Sequence, residues 1–85
     1  MIFVFAKNRN EFKNYTNNKA GYKYVSATDI RGFAITDNDS LLFIDGWENN
    51  RGYNDYFKDA FVVAIQSKKN MDYFMEMWNK NVSIK

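Results

Sequence analysis

Lys7, Asn8 and Arg9 directly follow the apolar run 2–6, and Asp45, Gly46 and Trp47 follow the apolar run 41–44 in the same manner. Cations and a side-chain amide at the end of a buried strand suit the binding of phosphate or carboxylate: lysine acts as a point charge and arginine as a planar fork. Arg31 beside Gly32 and Arg51 beside Gly52 add two further guanidinium groups next to turn glycines. A carboxylate such as Asp45 at a strand end holds magnesium in P-loop NTPases, but that role requires a glycine-rich loop ending in Gly-Lys-Ser or Gly-Lys-Thr. The sequence contains no such loop.

Several chemistries are set aside by residue type. The chain has no histidine and no cysteine, which removes disulfides, thiolate nucleophiles, Cys/His zinc sites and histidine acid-base catalysis. Asp37, Asp39 and Asp45 lack the twelve-residue spacing and terminal glutamate of a calcium loop. The turn after the first apolar run reads Ala6-Lys7-Asn8-Arg9-Asn10, without the glycines that let a backbone approach a dinucleotide pyrophosphate. No metal and no cofactor is expected. Carboxylates and lysines without an activating partner give no argument for an enzyme.

A chain of 85 residues is one domain, 1–85, near the lower limit for a self-sufficient core. Its 46% hydrophobic and 19% aromatic content suffices for collapse, and its net charge is +2. The pI near 8.9 permits weak attraction to nucleic acid, yet Lys68-Lys69 is the only basic doublet and no basic face is evident. The start lacks the basic segment of a signal peptide, and no apolar run approaches the length of a membrane span. The expected location is the cytoplasm, with no membrane partner.

The elements that must position these residues follow from hydrophobic periodicity. Residues 2–6 read as a strand covered on both faces. Asn8 or Asn10 caps a short helix with Phe12, Tyr15 and Lys19 on one side, stopping at Gly21. Residues 22–26 alternate as a second strand, and Thr28-Asp29 caps a single turn ending at Arg31-Gly32. The cluster 36–40 is a turn, and 41–45 supplies the third strand, with Leu42 in the core. The stretch 47–54 is too polar for core and reads as a surface loop, with Asn54 as the next cap. Tyr53, Phe57, Ala60, Phe61 and Ala64 keep the spacing of one buried helical face, so helix is preferred; the β-favouring run 61–65 keeps a strand open. Asn70 caps a last helix over 71–79 with Phe74, Met77 and Trp78 on one face, and the tail 82–85 frays.

Strand, helix, strand, turn, strand, helix, helix implies a small α/β unit of two or three layers whose parallel strands run in the order 2-1-3. In such a sheet ligands bind outside the carboxyl ends of the strands, where the winding reverses. Phe3-Val4-Phe5-Ala6-Lys7-Asn8, Tyr24-Val25-Ser26, Asp29-Ile30-Arg31-Gly32 and the apolar strand ending Gly46-Trp47 resemble small Rossmann-like proteins encoded by bacteriophages, over roughly the first 60 residues. The resemblance implies a small Rossmann-like unit with a three-stranded, mainly parallel sheet and two to three helices. It also implies an uncharacterised phage accessory protein acting in the host cytoplasm, and it carries over no catalytic residue. The aromatic C-terminal part departs from that family.

Two functions follow. In the first, a noncatalytic accessory protein binds and modulates a host bacterial protein through Trp47, Arg51, Tyr53, Met77 and Trp78, because a chain this small cannot bury every large side chain and Trp, Tyr, Arg and Met dominate interfaces. The same surface would serve a homo-oligomer. On this reading Trp47→Ala combined with Arg51→Ala abolishes partner binding and leaves the fold intact. In the second, a nucleotide- or nucleic-acid-binding module uses Lys7, Asn8, Arg9, Arg31 and Asp45 at the strand-end edge, joined by Arg51.

Overall fold

The structure, a computed structural model, describes residues 1–53 and 57–82, and the Arg31 side chain lies outside that description. Three strands, β1 (Ile2–Phe5), β2 (Tyr22–Tyr24) and β3 (Ser40–Phe43), form a parallel sheet in the order β2-β1-β3. The register pairs Val4 with Tyr24 on one side and with Leu42 on the other. Backbone bonds carry each ladder one step further, from the Val25 amide to the Val4 carbonyl at 2.9 Å and from the Ile44 amide to the Phe5 carbonyl at 3.0 Å. Three helices complete the unit: α1 (Arg9–Thr16), α2 (Phe57–Ala64) and α3 (Lys68–Asn81).

Side chains alternate across a strand, and the alternation explains the layers. Phe3, Phe5, Val25 and Leu41 enter one continuous core with Phe57, Phe61, Phe74 and Trp78 of α2 and α3. Phe5 is its centre: its ring stacks on Phe43 at 4.3 Å and meets Phe61 edge-on at 5.0 Å. Val4 and Tyr24 face the other way, where Phe12 of α1 lies 5.5 Å from the Tyr24 ring. The sheet therefore sits between α1 and the pair α2/α3, a three-layer arrangement.

Local chemistry sets the helix ends. Asn8, not Asn10, caps α1: its side chain accepts the Glu11 amide at 2.8 Å. The helix stops at Thr16 because Asn17 turns left-handed, short of Lys19 and Gly21. Being only two turns long, α1 contacts β2 and leaves Leu42 half-buried, whereas Leu41 on the opposite face is buried. The core position of β3 is thus Leu41, not the expected Leu42. Residues 57–64 are helical, and the β-favouring run yields only a single bridge between Ile65 and Ile35. Helix α3 begins earlier than expected: Ser67 is the cap, and Asn70, buried inside the first turn, donates to the carbonyls of Thr36 and Asp39 at 3.0 Å each. Asn54, expected as a cap, and residues 83–85 of the expected frayed tail lie outside the described residues.

The largest correction concerns the segment after β3. It consists of two short 3-10 turns, Trp47–Asn49 and Arg51–Tyr53, and it packs into the core. Trp47 is 2% exposed, Tyr53 0% and Trp78 5%. The two turns place Trp47 against Phe43 at 4.9 Å and Tyr53 against Phe57 at 4.3 Å, so the rings expected at the surface fill the space between sheet and helices.

Candidate functional site

At the carboxyl ends of the strands an open cleft of about 490 Å³ is lined by Lys7, Asn8, Arg9, Tyr24, Ser26, Asn49, Asn50 and Arg51. Each part of the sheet contributes. Lys7, Asn8 and Arg9 form the junction between β1 and α1, Tyr24 ends β2 with Ser26 two residues beyond it, and Asn49 to Arg51 come from the segment after β3. This is the edge at which the winding order reverses, since the link from β1 to β2 runs through α1 on one face and the link from β2 to β3 packs Ile30 and Ile35 into the core on the other.

Asn50 holds the cleft together. Although polar and placed between turns, it is only 8% exposed. Its side-chain nitrogen donates to the Ala6 carbonyl at 2.8 Å and to the Tyr24 hydroxyl oxygen at 2.7 Å, and its side-chain oxygen accepts the Gly52 amide at 2.8 Å. A carbonyl can only accept and a backbone amide can only donate, so these partners fix the orientation of the carboxamide. One side chain thereby joins the end of β1, the end of β2 and the turn Arg51–Tyr53. Beneath it the Tyr53 hydroxyl donates to the Val25 carbonyl at 2.6 Å. Burial pushes the Tyr53 phenol well above its ordinary range, and the neighbouring Tyr24 adds to the rise. Tyr53 is therefore a neutral structural donor.

The charges of the cleft are of one sign. Lys7, Arg9 and Arg51 are exposed cations, and the lining contains no carboxylate. Arg9 places its guanidinium 5.0 Å from the centre of the Tyr24 ring, a cation–π contact that anchors the side chain beside the cleft. The amides of Arg9 and Asn10 stand in the first turn of α1, where backbone N–H groups have no carbonyl within the helix. The Glu11 amide is already taken by Asn8.

Of the residues expected at the strand-end edge, Lys7, Asn8 and Arg9 are brought together, and Arg51 joins them. Asp45 is exposed in the turn after β3 and does not line the cleft. Arg31 belongs to the turn Ile30–Gly32, and its side chain is outside the description. Trp47, Tyr53 and Trp78 are core residues, and Met77 is half-buried on α3. Sequence reasoning missed Tyr24, Ser26, Asn49 and Asn50. The first two carried a usable signal, their place at the end of a parallel strand next to β1.

Among the described residues no group of three or more acidic side chains is placed to hold a metal ion, and no helix is long and apolar enough to cross a membrane. Comparison with protein-family models, with curated proteins and with solved structures gave no match.

Proposed function

We propose that this chain is a binding module for a small phosphorylated molecule of nucleotide size, held at the strand-end cleft. The observation that carries the reading is the convergence of Lys7, Arg9 and Arg51 on one cleft whose lining has no opposing carboxylate. Clustered cations at a sheet edge, next to free first-turn amides, are a site for a multiply charged oxyanion. A volume of about 490 Å³ falls within the range that small ligands occupy.

Two alternatives have less support. A single-stranded nucleic-acid binder offers open aromatic faces on which bases stack; here the ring that lines the cleft, Tyr24, already carries Arg9 over its face and Phe12 alongside. A host-protein interface built on Trp47, Tyr53 and Trp78 has lost those anchors to the core. No residue of the cleft is assigned a catalytic part.

The test is calorimetric titration of the protein with the four ribonucleoside triphosphates, repeated across a salt series. We expect binding that weakens as salt rises and that falls at least tenfold in the Lys7→Ala/Arg51→Ala variant. Both residues are exposed, so the thermal midpoint should stay near that of the parent. Binding that ignores both substitutions, or none at millimolar nucleotide, would overturn the reading. Tighter binding of oligo(dT) than of any mononucleotide would move the site to the nucleic-acid backbone.

A further inference from the structure

Resting on the phosphate reading of the cleft, we infer that the site selects a terminal phosphate monoester in its dianionic form, over the protonated monoanion and over a phosphodiester. What carries the selection is the charge of the lining, three cations and no carboxylate. The charged groups, Lys7, Arg9 and Arg51, can only donate. Two of the lining amide oxygens already accept a backbone amide: Asn8 Oδ1 takes the Glu11 amide and Asn50 Oδ1 takes the Gly52 amide, both at 2.8 Å. The Ser26 hydroxyl is bonded to the Thr28 hydroxyl at 2.8 Å.

A dianionic phosphate presents three equivalent acceptor oxygens and two negative charges, which such a set of donors satisfies. The monoanion brings one charge in place of two, and its protonated oxygen is a weaker acceptor for the three cations. A phosphodiester has one charge and two strong acceptors, so it pairs fewer of the three cations. The selection belongs to the ligand and not to a titration of the protein. Lys7 and Arg9 face the cleft from the junction of β1 and α1, Tyr24 from β2 and Arg51 from the last turn, while Glu11, Asp45 and Glu48, the carboxylates of the adjoining segments, stand outside the lining. The chain has no histidine, the side chain whose unperturbed titration lies between pH 5 and 8. The terminal amine is paired with Asp39 at 3.4 Å, at the opposite end of the strands.

The probes are methyl phosphate, dimethyl phosphate and sulfate, titrated at pH 5 and pH 7 and followed by the backbone amide resonances of residues 7–10 and 49–52. With a second ionisation near pH 6, the dianion fraction of a monoester rises about tenfold between these values, and the affinity for methyl phosphate should rise with it. Sulfate, a dianion throughout, should bind equally at both. Dimethyl phosphate should bind at least tenfold more weakly than methyl phosphate at pH 7. Equal affinity for the two esters, or a rise for sulfate matching that for methyl phosphate, would overturn the selection while the phosphate site stood. Failure of all three oxyanions and of the nucleotides would remove the site itself.

Discussion

A β-carbon added to Gly52 would lie 3.2 Å from Asn50 Oδ1, the oxygen that accepts the Gly52 amide at 2.8 Å, and 3.0 Å from the Ala27 β-carbon. Neither neighbour is the far end of a long flexible chain, so Gly52→Ala must push on the residue that joins β1, β2 and the last turn. The expected outcome is a loss of about 1 to 3 kcal/mol of stability, as for other overpacked sites, together with weaker binding in the cleft. Urea denaturation read beside nucleotide titration measures both. Full stability and unchanged binding would mean that Asn50 does not organise the edge.

Trp47→Ala should destabilise the fold and not simply blunt a surface. Trp47 contacts Phe5 at 5.8 Å, Phe43 at 4.9 Å and Trp78 at 6.4 Å. Truncating a buried aromatic of this kind costs about 3 to 5 kcal/mol, a large share of what an 85-residue chain can hold in reserve. The expected result is a low midpoint in urea or no cooperative transition at all. A variant as stable as the parent would return Trp47 to the surface and revive the interface reading.

Acid should weaken the attachment of the turn before β3. Asp39 accepts the Thr36 amide at 2.9 Å, and that backbone hydrogen bond is the largest cause holding its carboxyl below the ordinary 3.8; burial opposes the shift, while the terminal amine and the Thr36 hydroxyl assist it. A carboxylate whose folded pKa is lowered contributes stability that is fully present above its unfolded value and is lost as pH falls through the folded one. Asp39→Ala should therefore be less stable than the parent at pH 6, with the difference shrinking as pH drops below about 4. Chemical denaturation at a series of pH values reads this directly. A difference independent of pH would assign the effect to packing alone.

The sheet was legible because its strands are short apolar runs ended by polar residues, and the order 2-1-3 followed from connections that parallel strands require. The helix over Phe57–Ala64 was legible from spacing, though not its independence from Tyr53, which belongs to the preceding 3-10 turn. The start of α3 was obscured by Lys68 and Lys69, since two cations in a first turn oppose the helix dipole; Ser67 caps the helix nonetheless. What could not be read was the inward turn of Trp47 to Tyr53. Asn49-Asn50-Arg51-Gly52 has the composition of a solvated loop, and only the folded structure shows that the hydrogen bonds of Asn50 are met by Ala6, Tyr24 and Gly52 in place of water. Three of the eight lining residues, Lys7 to Arg9, lay in plain view at a strand end, whereas the stretch Asn49 to Arg51 is tied to the cleft by that one buried amide.

The bond from Asn50 to Ala6 spans 44 positions of sequence. Closing a loop of that size carries an entropic cost that grows with its length, and contacts so far apart slow folding. The cleft is therefore a product of the completed chain, absent from any partly folded form that holds only β1, α1 and β2. By mass action, a ligand bound there stabilises the whole native state and not one loop. Nucleotide occupancy should accordingly slow amide hydrogen exchange in β1 and α3 alike.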